Sequence, residues 1–112
     1  MDWEYRDLVV PLGVVWTITA RGHLSDPREE EAGRREVRAR YDAIVGEHLA
    51  RAAAEGWEPE HPTDFEAVSA AGRLKVDTRF KRDAVAFGFG ELRTLAITHT
   101  YQQVAIRLRR RR

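Results

Sequence analysis

The chain of 112 residues carries 19 basic and 18 acidic side chains and is 43% hydrophobic, a composition typical of one small globular domain and unlike that of a disordered chain. It contains no cysteine, which excludes disulfides, thiolate metal sites and a cysteine nucleophile. The longest uncharged run, residues 8–20, is shorter than the roughly 20 residues of a membrane-spanning helix, and the acidic N-terminus is unlike a secretory signal, so we predict a cytoplasmic protein without a membrane span.

Two β-strands are predicted near the N-terminus, at residues 3–10 and 14–20. Alternate residues of the second, from Val14 to Ala20, share one face. The Pro-Leu-Gly sequence at 11–13 predicts a tight turn or a bulge in one bent strand, because proline cannot donate to a ladder and glycine accepts positive φ. We expect the two strands to pair as a hairpin.

One long helix is predicted between Asp26 and Gly56. Asp26 can cap it, Pro27 suits its first position, and Gly56 can adopt the left-handed conformation that ends a helix. The segment before Val37 lacks an apolar stripe, so its first turns are expected to project, fray or pack on another subunit. The apolar stripe itself comprises Val37, Tyr41, Ile44, Val45, His48, Leu49 and Ala52.

The second half of the chain is predicted to be mostly strand. Residues 64–68 fit a short strand or a helical turn, and residues 84–90 an irregular connection. Residues 73–81 alternate as a half-buried strand, which predicts a buried face of Leu74, Val76, Thr78 and Phe80.

The last two predicted strands, residues 92–97 and 104–108, are out of phase, so a bulge or a turn is expected at 101–103. A single strand of about sixteen residues would exceed ~50 Å. Such a length suits so small a domain only if the strand reaches across a dimer.

Three segments together resemble a family of short bacterial proteins of unknown function. They are the opening Trp-Glu-Tyr-Arg at 3–6, the helix end Ala-Ala-Glu-Gly-Trp-Glu at 53–58, and the apolar-basic strand at 104–109. The resemblance implies a fold built from these elements and brings no activity, substrate or catalytic residue.

These elements predict a single α+β domain over residues 1–112, with 106–112 forming a basic strand end and tail. We expect an antiparallel sheet of four or five strands in the order ββαββ, with the helix at 36–55 packed on one face. One helix covers only part of such a sheet, so a homodimer is predicted.

Candidate ligand-binding residues are His48 on the helix stripe, Trp57 after the helix end, and His61 in a loop rich in carboxylates. Each also has a structural interpretation: a core-edge histidine, a C-cap aromatic and a solvated loop. His61 lacks a recognised metal-ligand spacing, and neither a phosphate-binding loop at 88–94 nor a serine nucleophile motif is supported. We therefore predict no catalytic residue, metal or cofactor, while His23 is interpreted as part of a turn and His99 as a strand residue.

The basic C-terminus is a separate candidate site for an anion or a protein partner. Arg107, Arg109, Arg110, Arg111 and Arg112 supply five positive charges to a chain whose net charge is +1. They fit a solubilising edge strand, or a flexible contact to nucleic acid, an acidic protein or anionic lipid. The isoelectric point near 8.2 lies below the value above 9 that is typical of nucleic-acid domains.

The sequence thus predicts a non-catalytic binding or assembly module that acts as a homo-oligomer. The first alternative is a small-molecule-binding protein or enzyme with a site near Trp57, His61 and His48. The second is nucleic-acid binding through the C-terminal arginines.

Overall fold

The chain forms four strands and two helices within residues 2–21, 26–87 and 90–112, the part that the computed structural model describes. The prediction of an α+β fold with a four-stranded antiparallel sheet and one long helix packed on it is confirmed. The elements are β1 (Trp3–Arg21), α1 (Pro27–Ala54), β2 (Glu58–Pro59), α2 (Phe65–Ala70), β3 (Leu74–Phe87) and β4 (Gly90–Arg111).

The predicted N-terminal hairpin is wrong, because residues 3–21 form the single strand β1. β1 pairs with β4 along its whole length, and the register shifts between Pro11 and Val14, where Gly13 adopts a φ of 62°. The bulge is therefore the correct alternative. Because β1 lies at an edge of the sheet, Pro11 interrupts no central ladder. The order of strands and long helix is consequently not ββαββ, since one strand precedes the helix and three follow it.

β4 is the central strand, and β1, β2 and β3 all pair with it in antiparallel fashion. Its 22 residues merge the two strands predicted at the end of the chain. Lys75 pairs with Gln103 and Val76 with Tyr101, so Gln102 is an extra residue, and the predicted bulge is confirmed. β3 extends to Phe87, which corrects the irregular connection predicted over residues 84–87.

Helix α1 begins and ends where its sequence signals predict. The Asp26 side chain accepts a hydrogen bond of 2.9 Å from the Arg28 amide, and Gly56 ends the helix with a φ of 86°. Its buried residues are Val37, Tyr41, Val45 and Ala52, which confirms the predicted stripe.

The first turns of α1 pack on the sheet of the same chain. The Trp16 ring lies against Gly33, where a side-chain Cβ would come within 3.0 Å of Trp16 Cδ1. Glycine at this position lets the indole approach the helix backbone, so an aromatic ring supplies the apolar contact that the helix sequence lacks there.

Residues 65–70 form the short helix α2, capped by Asp64, which settles the choice between strand and helical turn. Val68 is buried and anchors α2 to the core. The Phe65 ring packs edge-on against Tyr41 and Tyr101, with centroid separations of 5.5 and 5.4 Å. α2 therefore fixes an aromatic cluster between the long helix and the central strand.

The molecule is strongly elongated, measuring 72 × 20 × 19 Å with a radius of gyration of 19.0 Å. A compact domain of this length has a radius of about 13 Å. The excess length comes from a three-stranded extension that we call the arm: residues 14–21 of β1, 76–87 of β3 and 90–101 of β4. Among the described residues, no helix is long and apolar enough to cross a membrane.

Candidate interaction surfaces

One face of the arm carries most of its apolar residues. Strand pairing places Ile18 and Phe80 on either side of Ile97, and Ala20 beside Leu95. The same alternation puts these side chains on the face where Trp16 contacts helix α1. We call this the helix-side face of the arm and define it by Ile18, Ala20, Val76, Phe80, Leu95 and Ile97.

This face is only partly covered within one chain. The start of α1 lies alongside β1, and Ile18 and Glu29 help to line a cavity of about 90 Å³ between them. On β3, Phe80 is 66% exposed and Val76 is 40% exposed. The prediction that residues 73–81 form a strand is confirmed, but the expected burial of Val76, Thr78 and Phe80 is wrong for a single chain because α1 lies over β1.

The opposite face of the arm is more polar. The Thr17 and Thr98 hydroxyl oxygens are 3.1 Å apart, and Arg79 Nε donates a 3.0 Å hydrogen bond to Asp77. Val15, 56% exposed, is an apolar residue on this face. Apolar residues thus concentrate on the helix-side face, which makes it the stronger candidate for a contact with another molecule.

A groove lies at the base of the arm, between α1, α2 and the sheet. Its volume is about 350 Å³. Rings and aliphatic side chains form most of its surface, with charged groups at its edges; the lining residues are Trp16, Arg34, Val37, Arg38, Phe65, Glu66, Ser69, Ala70 and Tyr101. The sequence did not indicate this site, because its residues come from four separate elements.

The C-terminal arginines belong to strand β4 through Arg111 and are not a flexible tail. Arg107 lies 3.2 Å from a Glu60 carboxylate oxygen, and Arg109 donates a 3.0 Å hydrogen bond to Glu58. Arg110 contacts the Glu4 carboxylate, which also lies 3.8 Å from Arg112. Carboxylates therefore offset much of this positive charge.

Several arginines also stack on aromatic rings. The Arg109 and Arg111 guanidinium carbons lie 4.5 and 5.3 Å from the Trp3 centroid. On the opposite face of β4, the guanidinium of Arg110 lies 4.5 Å from the ring centroid of Trp57, which is 7% exposed. Arg110 also donates to the Glu55 carbonyl at 3.2 Å, so it joins β4 to the end of α1.

The structure brings His48, Trp57 and His61 into separate surroundings. His48 Nδ1 is 2.9 Å from the Ile44 carbonyl of its own helix. His61 is 3.7 Å from Glu60 and lines a cavity of about 10 Å³ to which neither His48 nor Trp57 contributes. This geometry offers no shared pocket for the three residues.

His99 lies in the arm, with Nδ1 2.9 Å from the Thr78 hydroxyl oxygen and its ring 5.7 Å from that of Trp16. His23 and the predicted Gly88-Phe89 segment lie outside the described residues. Within the described ranges, no group of three or more histidine, aspartate or glutamate side chains is arranged to hold a metal ion.

No family model, curated protein or solved structure matches this chain. The resemblance to the family of short bacterial proteins therefore stays a prediction. The helix-side face of the arm and the groove at its base are the two surfaces best suited to contact another molecule.

Proposed function

We propose that the chain is a non-catalytic assembly module of the bacterial cytoplasm that acts as a homodimer through the helix-side face of the arm. The observation that carries this proposal is the exposure of Phe80 and Val76 on a sheet face whose other apolar residues lie beside them. Leaving such a patch in water costs about 25 cal/mol per Å² of apolar surface.

A second copy suits this face better than a chemically different partner. The patch is mostly apolar, so two copies related by a two-fold axis can bury Val76, Phe80 and Ile97 against each other, with the charged Arg82, which pairs with Leu95, at the distal end of the contact. At ~3.3 Å per residue and ~4.8 Å between strands, the arm offers a face of roughly 40 × 14 Å. Because α1 already covers the β1 side of this face, the open area is smaller than the ~800 Å² per partner of a standard interface, and the expected dimer is a weak one that depends on protein concentration.

The length of β4 supports the same proposal. The 22-residue strand exceeds the 3 to 10 residues common in globular proteins. In one chain, β1 and β3 flank the half of β4 that lies in the arm. Helix α1 packs against β1 only, so the β3 side of the face stays open. A second sheet packed on the open face would give the arm the hydrophobic layer that a stable sheet requires.

Sedimentation equilibrium of two matched variants tests the proposal. Val76→Lys places a charge on the helix-side face, and Val15→Lys places the same charge on the opposite face of the arm. Both valines are exposed in one chain, so both variants should fold with an unchanged circular dichroism spectrum. We expect the wild type and Val15→Lys to be dimers and Val76→Lys to dissociate at least tenfold more readily.

A monomeric wild type would overturn the proposal. So would a Val15→Lys monomer beside a Val76→Lys dimer, because that result would move the interface to the opposite face. A monomer carrying nucleic acid that salt releases would instead favour the C-terminal arginines as the functional site. Their pairing with Glu4, Glu58 and Glu60 makes that alternative the weaker one.

A further inference from the structure

The groove at the base of the arm has the size and composition of a small-molecule site, which goes beyond assembly. Its volume of about 350 Å³ falls in the range of roughly 300–1,000 Å³ typical of such sites. It lies between α1 and α2 and adjoins the Val76 end of the proposed dimer contact, because Val76 pairs with the groove residue Tyr101, whereas Phe80 lies further along the arm. The oligomeric state is therefore measured together with ligand binding, so that the two proposals are tested separately.

The walls of the groove favour a flat apolar molecule. Trp16 lines the groove from β1, and Phe65 and Tyr101 pack edge-to-face with their centroids 5.4 Å apart. Val37 and Ala70 add aliphatic surface from the two helices. Such rings offer a large apolar contact area at little cost in conformational entropy, and they favour stacking with a planar ligand.

The charges at the rim favour a single negative charge on that molecule. Arg38 contacts the Glu66 carboxylate, so these two lining residues neutralise each other. Arg34 has only a distant carboxylate, with its Nη1 3.9 Å from Glu31. The lining residues therefore leave one excess positive charge, on a guanidinium suited to two parallel hydrogen bonds with a carboxylate.

Tyr101 adds a hydroxyl beside the same charge. Burial raises the pKa of Tyr101, while the nearby Arg34 guanidinium acts in the opposite direction. The phenol therefore stays protonated at neutral pH and can donate. Among the described side chains, no hydrogen-bond partner faces this hydroxyl, so it is available to a ligand.

We propose that this groove binds a small planar apolar molecule carrying one carboxylate or similar anionic group. The apolar body lies on Trp16 and Phe65, and the anionic group accepts hydrogen bonds from Arg34 and Tyr101. The ligand class is thus set by three rings and one excess cation.

Two fluorescent probes of nearly the same shape test this assignment: anilinonaphthalene sulfonate, which is anionic, and N-phenylnaphthylamine, which is neutral. Arg34→Gln removes the proposed anion contact. Arg35→Gln is the matched control, because Arg35 also lies 3.9 Å from Glu31 but does not line the groove. We expect Arg34→Gln to weaken binding of the anionic probe about fivefold. Binding of the neutral probe should not change, and Arg35→Gln should affect neither.

Ala70→Trp fills the groove from α2 and should abolish binding of both probes. Equal effects of Arg34→Gln and Arg35→Gln would overturn the anion assignment. Probe binding that survives Ala70→Trp would overturn the groove itself and place the probes on the arm. Light scattering on the same samples reports the oligomeric state, so the result is independent of the dimer proposal.

Discussion

The indole of Trp16 lies directly on the backbone of Gly33, and this contact holds the first turns of α1 against the sheet. Those turns are rich in charged residues and contribute no buried side chain before Val37. The Trp16 ring thus fixes the position of the start of α1 against β1. This position sets how much of the arm α1 covers.

We expect Gly33→Ala to destabilise the protein, although alanine favours helix by about 1 kcal/mol over glycine. The added methyl group would overlap the Trp16 ring and force the helix outward, an overpacking that costs about 1–3 kcal/mol. Gly46→Ala is the matched control, because nothing lies within 4 Å of a Cβ at that helical position. Urea unfolding measures both variants.

The control should gain up to about 1 kcal/mol in free energy of unfolding, since only helix propensity changes there. Equal stabilisation by the two substitutions would show that Trp16 does not contact Gly33 closely and that the start of α1 lies away from the sheet.

Tyr41 joins the helix to the loop before α2, and its hydroxyl donates a 2.7 Å hydrogen bond to the Thr63 carbonyl. Tyr41→Phe leaves that carbonyl without its partner and should cost about 1–2 kcal/mol. Tyr5→Phe is the control, because Tyr5 is 45% exposed, and its change should stay within about 0.5 kcal/mol. Chemical denaturation at pH 7 compares the two.

The same tyrosine makes stability depend on alkaline pH. Burial, followed by the charges of Asp42 and Asp64, raises the pKa of Tyr41 to about 12, against 10.0 in the ordinary environment. Between those values the unfolded chain loses the proton and the folded chain keeps it, so stability is complete below pH 10 and falls as pH rises toward 12. Tyr41→Phe should flatten this decline, and an unchanged slope would contradict the assignment.

Arg110 and Arg111 are neighbours with different surroundings. Arg110 contacts Glu4, the Glu55 carbonyl and the Trp57 ring, whereas Arg111 is exposed and lies over Trp3. We expect Arg110→Ala to lower the free energy of unfolding by about 1 kcal/mol, with a smaller effect of Arg111→Ala. Thermal unfolding at low salt measures the difference. Identical small losses would indicate that the arginines serve only solubility or binding.

The best-predicted parts of the fold depend on local signals. Asp26, Pro27 and Gly56 mark the ends of α1, and alternation marks the start of β3. The break at residues 11–13 was misleading, because a proline on an edge strand can occupy a bulge as readily as a turn. Residues 84–87 have no clear pattern of their own and become strand through pairing with β4.

The candidate sites were harder to predict because their contacts are long-range. Arg109 and Glu58 are 51 positions apart, and nothing in either segment indicates that they pair. The groove likewise joins Trp16, Phe65 and Tyr101, which the sequence places on three unrelated elements. The homodimer was predicted because one helix covers only part of the sheet; Phe80 and Val76 are exposed on the part that α1 leaves open, and the homodimer itself stays a prediction.

The central claim is that a second copy covers the helix-side face of the arm. Since the chain has no cysteine, Val76→Cys and Val15→Cys each introduce one thiol, on opposite faces of the arm. The decisive measurement is the rate at which an aromatic disulfide reagent modifies each thiol as protein concentration rises. We predict that the Val76→Cys thiol becomes at least tenfold less reactive as dimers form, while the Val15→Cys thiol keeps its rate. A Val76→Cys rate that is independent of concentration, or slowing of Val15→Cys instead, would contradict the claim.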